Sequence, residues 1–142
     1  MSAYSITIAD KWRLWFDREY QQRVEGDHLI LWTTGISVLT TLYSYSGDRG
    51  RELLLANLEA KAEAKGLETI KESEGDLIRF GYLQPEEVRP GLMRLALHAF
   101  TMAEFDCLQT SVYLDRVEDL HSGLEIWKNL EHLDKEALED ER

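Results

Sequence analysis

The chain predicts a single α+β domain built around a largely antiparallel sheet, with two main helices in the order strands–helix–strands–helix. Three observations predict it. Residues 12–45 and 68–114 form two blocks rich in alternating, β-branched and aromatic side chains. Each block runs into one stretch with apolar residues at helical spacing, beginning near Asp48 and near Asp115. A length of 142 residues supports one substantial core and is too short for two. The domain is expected over 1–133, with 134–142 a frayed acidic tail.

Residues 5–8 read as a short edge strand. Residues 12–18 alternate, with Trp12, Leu14 and Phe16 on one side and Arg13, Trp15 and Asp17 on the other. A polar turn, with Glu25-Gly26-Asp27 near its end, leads to 28–34. There Leu29 and Leu31 oppose Ile30 and Trp32, which predicts a central strand covered on both faces. Gly35 separates it from a strand over 36–45. Gly47-Asp48-Arg49-Gly50 breaks the pattern and offers Asp48 as an N-cap. Leu54, Leu55, Leu58 and Ala62 then mark a helix that Gly66 ends.

Residues 67–71 and 76–83 predict a hairpin turning at Glu74-Gly75-Asp76. Both prolines fall in 84–91, which reads as the longest internal loop. Residues 92–102 and 105–114 predict a long hairpin joined at Ala103-Glu104. Asp115 and Glu118 form a capping-box-like pair before a helix whose stripe is Leu120, Leu124, Trp127 and Leu130.

In the last hairpin Leu95, Leu97, Leu108, Val112 and Leu114 suit helix packing. Arg94, His98, Phe100, Phe105, Gln109 and Tyr113 mix aromatic with polar groups, as interfaces do. If both helices cover the aliphatic face, the mixed face is an open platform. If each covers one face, it is a second core.

Charge narrows the partners. Net charge is −11, and 115–142 holds ten acidic residues against four basic ones. Such a surface repels phosphate backbones and anionic lipid, so neither nucleic acid nor membrane is expected as a partner. It would steer in a basic protein. Cys107 is the sole cysteine, which excludes an intramolecular disulfide and reads as a core residue. No secretory signal or apolar membrane span is visible, so a cytoplasmic home is expected.

Catalytic and ligand motifs are missing. His121, Glu125 and His132 share helical spacing but span too many turns for one ion. His98 could be drawn as an acid–base pair with Glu104, Asp106 or His28, yet no spacing places them together. Ser37, Ser44, Ser111 and Cys107 lack a nucleophile elbow, and no phosphate-binding glycine motif occurs. Asp48 would itself satisfy the amides that Gly47–Gly50 could offer an anion. No catalytic residue, cofactor or metal site is therefore expected. Trp12 and Trp127 read as core, while Trp15 and Trp32 fall where tryptophan anchors a partner.

A tryptophan-containing first strand, "ITIADKWRLWF", a long hairpin, "LMRLALHAFTMAEFDCLQTSVYL", and a closing helix, "DLHSGLEIWKNL", follow one another. This order resembles the PsbP/DcrB-like fold, including the small bacterial proteins to which the Eag secretion chaperones belong. Ala9-Asp10-Lys11-Trp12 stands where members often carry a Pro-x-Gly-Trp turn. The resemblance implies a non-catalytic, protein-binding role. Small acidic proteins of this build also look like immunity proteins, which cover a toxin's active surface. No motif transfers residue by residue, so no functional position is carried over.

The expectation is a non-enzymatic domain that binds a basic or apolar toxin or effector by stoichiometric occlusion. Its expected contacts are Trp15, Trp32, His98, Phe100, Gln109, Tyr113, Glu118, Asp119, Glu125 and Glu131. The alternatives are a small ligand-binding domain or enzyme with a pocket around His98 and Tyr113, and a self-associating subunit that closes a symmetric homodimer through the mixed face.

Overall fold

Strand pairing sorts alternating side chains onto two faces, and the sorting dictates what must pack on each. The computed structural model describes residues 4–45 and 47–133, so the predicted tail 134–142 lies outside the described residues. In chain order the elements are β1 (Tyr4–Ile8), β2 (Trp12–Phe16), β3 (Gln21–Glu25), β4 (His28–Thr33), β5 (Ile36–Ser44) and α1 (Gly50–Ala64). There follow β6 (Glu68–Glu74), β7 (Leu77–Arg89), β8 (Leu92–Met102), β9 (Asp106–Leu114), a 3₁₀ turn at Val117–Asp119, α2 (Leu120–Lys128) and β10 (Glu131–His132).

Seven strands pair in the order β3-β4-β5-β9-β8-β7-β6, and a smaller sheet pairs as β1-β2-β10. Every ladder is antiparallel. The predicted α+β class holds.

The register exposes the logic. Leu83, Leu97, Val112, Val38 and Leu31 stand side by side across five strands. That aliphatic row faces β2 and α2, and with Trp12, Leu14, Phe16, Ile126, Trp127 and Leu130 it forms the main core. On the opposite face α1 lays Leu58 and Ala62 over Phe80, Tyr82, Phe100, Met102 and Cys107. One helix thus lies on each face of the large sheet. Periodicity left that choice open.

Close packing explains two glycines. A Cβ on Gly81 would lie 2.8 Å from Trp127 Cη2 and 3.2 Å from the His98 carbonyl oxygen, so only a bare backbone lets the indole lie on β7. A Cβ on Gly50 would lie 2.2 Å from Tyr45 Cβ. The Tyr45 hydroxyl, in turn, shares its proton between the carbonyls of Ala103 at 2.8 Å and Asp106 at 2.9 Å, fixing the β8–β9 connection.

Several boundaries differ from expectation. The predicted polar turn contains β3, whose five residues are all exposed, so no apolar alternation announces it. That extra strand leaves β4 one from the edge rather than central, and only Leu31 in it is buried. The predicted loop over 84–91 is mostly β7, which runs to Arg89 and pairs with β8. Pro85 is tolerated there because β6 ends opposite Leu83, so beyond that point β7 has an edge with no outward ladder to complete.

Asp48 is not the cap of α1. Arg49 holds that position without a side-chain cap bond and donates instead to Glu52 in the first turn. Asp115 and Glu118 form no capping box either, because the 3₁₀ turn intervenes and Asp119 holds the cap position of α2, also without a cap bond. The C-terminal end of α1 does follow expectation. Gly66 adopts φ 65°, and the amides of Gly66 and Leu67 donate to the carbonyls of Glu63 and Ala62.

No helix among the described residues is long and apolar enough to cross a membrane. Substituting Gly81→Ala should force Trp127 off the sheet and cost about 1–3 kcal/mol, the usual penalty of overpacking. A urea titration followed by tryptophan fluorescence measures this as a lowered midpoint.

Candidate functional site

The face that carries α1 is only half covered by it. The α1 cluster reaches β9 only at Cys107 and the β5 side only at Tyr45, and Ile30, Trp32, Leu39, Tyr43 and Tyr113 join neither core. They are half-buried to exposed, on β4, β5 and β9. The register sets them in rows: Trp32, Ser37, Tyr113 and Ala96, then Ile30, Leu39, Ser111 and His98, then His28, Thr41, Gln109 and Phe100. Aromatic and aliphatic groups alternate with polar ones across this uncovered area, so it offers both apolar contact and hydrogen bonds.

Neighbouring cations hold two of the rings in place. The Arg94 guanidinium lies 4.3 Å from the centroid of Tyr113 and is also held by Glu86 at 3.0 Å. The Arg23 guanidinium lies 5.7 Å from the Trp32 ring. Both distances fall within cation–π range.

A chain of polar groups crosses the same face. The Tyr43 hydroxyl donates to Gln109 Oε1 at 2.6 Å, and Gln109 Nε2 donates to Ser111 Oγ at 2.8 Å. Ser111 Oγ then lies within hydrogen-bond distance, 3.0 Å, of His98 Nδ1. The other ring nitrogen, Nε2, faces Glu86 at 3.9 Å. Burial is the main cause that lowers the His98 pKa; Lys61, Lys65 and Arg94 add to it, and Glu86 opposes it. Burial likewise pushes the Tyr43 and Tyr113 phenols up, so both stay neutral donors.

A serine, a histidine and a glutamate in series resemble a nucleophile relay. However, Ser111 is 2% exposed, so its hydroxyl is closed to a substrate in this arrangement. What the chain does chemically is satisfy every member and stiffen the uncovered half of the sheet.

The ten residues expected at the site fall into three places. Trp32, His98, Gln109 and Tyr113 come together on the uncovered half, whereas Phe100 shares their face but is buried beneath α1. Trp15, Glu125 and Glu131 lie on the other side of the large sheet. Trp15 is on the outer side of β2, under Arg13, and its indole donates to Glu131 of β10. Glu125 pairs with His121 at 3.0 Å. Glu118 and Asp119 lie in the 3₁₀ turn beside Gly35, at the end of the sheet that carries Trp32 and Tyr113.

Other expected pairings do not form. His98 meets Ser111 and Glu86 rather than Glu104, Asp106 or His28, and His28 Nδ1 lies against Thr41 Oγ1 at 3.0 Å. His132 stands apart from His121 and Glu125, on β10, with Nε2 3.3 Å from Asp106. Among the described residues no group of three acidic, histidine or cysteine side chains is placed to hold a metal.

Sequence reasoning missed two buried charges. Asp106 is 5% exposed and accepts from Trp12 Nε1 at 3.1 Å, with His132 on its other oxygen and the Trp12 and His132 rings 4.5 Å apart. Arg79 is 2% exposed and donates to Glu74 and to the Lys128 carbonyl, where its charge meets the C-terminal end of α2. Arg79 was detectable as the one charge on the inward side of 77–83. Asp106 was not, because its partners lie 94 and 26 residues away.

No protein-family model matches the chain, and no curated protein matches it.

Two experiments test this geometry. Since His98 is held below its ordinary value near 6.5, the unfolded chain binds its proton first, and stability should fall as pH drops below about 6.5. Urea unfolding at several pH values should show that fall, and His98→Gln should remove its share of it. Burial pushes the Cys107 thiol up to about 12, so iodoacetamide at pH 8 should label it only after unfolding.

Proposed function

We propose that the protein is a non-enzymatic binding domain that occludes a partner protein stoichiometrically, in the manner of an immunity protein or a secretion chaperone. One observation carries the reading: a rigid, half-uncovered sheet face presents Ile30, Trp32, Leu39, Tyr43 and Tyr113 outside both cores. Rings held by Arg23 and Arg94 are ordered before a partner arrives, which lowers the entropic cost of association. Trp32 and Tyr113 are the anchors, since buried aromatic rings dominate binding energy at interfaces.

Charge favours a basic partner. The net charge is −11, and Asp115, Glu118 and Asp119 border the Trp32 and Tyr113 end of the face. Their role is to speed encounter, so charge reversal there should slow association and flatten its salt dependence. A buried, unreactive Cys107 suits a reducing cytoplasm. The resemblance in element order to PsbP/DcrB-like proteins points the same way.

The test is capture of a partner from native lysate by the wild type and by variants, eluted in a salt gradient. The wild type should retain one stoichiometric protein. Trp32→Ala and Tyr113→Ala should each weaken it by about 30-fold, the scale of a 2 kcal/mol anchor, with the unfolding midpoint kept. An empty capture, or one indifferent to both substitutions, would overturn the proposal.

A further inference from the structure

A second surface lies at the other end of the large sheet. Three turns converge there: Ala9–Lys11 between β1 and β2, Gly75-Asp76 between β6 and β7, and Ala103–Phe105 between β8 and β9. With the end of β10 they enclose a cleft of about 780 Å³, within the usual range for a ligand site. Tyr113 stands seven residues along β9 from Asp106, or roughly 23 Å at ~3.3 Å per residue. The cleft is therefore separate from the Trp32 and Tyr113 end of the face argued above.

Its walls combine two properties. Leu77, Leu133 and Phe105 are apolar, and Phe105, at 79% exposure, is the most exposed large hydrophobic side chain among the described residues. A ring left in water on a fixed turn gains by being covered. The exposed charges on the lining are Asp10, Asp76 and Glu104 against Lys11. Asp106 is already occupied by Trp12 and His132, and Arg51 is held by the Asp76 carbonyl at 2.8 Å, which leaves the Asp76 carboxylate outside that bond.

The floor is firm. Asp106 ties Trp12 to His132, and the Leu133 amide donates to the Lys11 carbonyl at 2.7 Å. The rim turn closes through Lys11 N–H to the Ile8 carbonyl at 3.0 Å, with Ala9 and Asp10 at φ 53° and 57°. Two successive non-glycine residues in that region are uncommon, and they hold the Asp10 carboxylate at the edge.

We propose that this cleft receives a basic, partly apolar polypeptide segment, with Lys or Arg heads among Asp10, Asp76 and Glu104 and an apolar side chain against Phe105. Charge complementarity selects this occupant. An anion would meet repulsion from three carboxylates, and a neutral apolar ligand would leave them without a partner.

The probe is a fluorescein-labelled octapeptide of alternating Arg and Leu, titrated with the full chain at low salt and followed by anisotropy. Asp76→Asn with Glu104→Gln, and separately Phe105→Ser, should each weaken binding about tenfold or more. Glu63→Gln with Glu87→Gln removes equal charge from exposed positions elsewhere and should change it less than about twofold, the difference between site and bulk field. The same peptide with Glu in place of Arg should not bind. Absence of binding, or equal weakening by both double variants, overturns the proposal. So does loss through Trp32→Ala with Tyr113→Ala, which would place the peptide on the sheet face. Retention in that variant keeps this result independent of the proposed function.

Discussion

The width of the large sheet is the constraint on which the rest depends. Seven strands at ~4.8 Å spacing span about 29 Å from first to last, whereas a helix with its side chains covers only about 10 Å. One helix lies on each face, so neither helix suffices. On the aliphatic face the three-stranded sheet makes up the difference, and Trp12, Leu14 and Phe16 complete a dry core with α2. On the other face α1 stands alone over the β7 and β8 side. The side chains follow that division: phenylalanine, tyrosine, methionine and cysteine under the helix, then serine, threonine and glutamine interleaved with Ile30, Trp32, Leu39, Tyr43 and Tyr113 where cover ends.

The smaller sheet is held by contacts that are remote in sequence. Trp12 reaches Asp106 over 94 residues, and Trp15 reaches Glu131 over 116. Each such pair closes a long loop, an entropic cost that the finished contacts must offset. In the folded molecule the buried Asp106 carboxylate is satisfied by Trp12 from one part of the chain and His132 from the other.

Fold class, both helices and the last hairpin were legible because each rests on local periodicity that burial enforces. Leu97, Val112 and Leu114 had to share a face, and so did Leu54, Leu58 and Ala62. β3 was illegible because its residues, from Gln21 to Glu25, face solvent and leave no alternation. The reach of β7 was hidden by Pro85, which reads as a breaker until one knows that β6 has already ended. Half of the candidate site was visible as a mixed face in β8 and β9. Trp32 was expected as a contact, but its place beside Tyr113, and the membership of Tyr43, depend on the order of strands rather than on any one strand. The same ignorance grouped Trp15 and Glu131 with residues that lie across the sheet from them.

Pro85 has one more consequence. A protein that displays an uncovered β face risks joining other copies strand to strand at its open margins. Beyond Leu83 the outer margin of β7 lacks a backbone donor at Pro85, and its register slips between Glu87 and Arg89. At the opposite margin β3 carries Arg23 and Glu25, paired at 2.7 Å and both largely in solvent. At these stretches both margins are thereby poor templates for strand-to-strand growth.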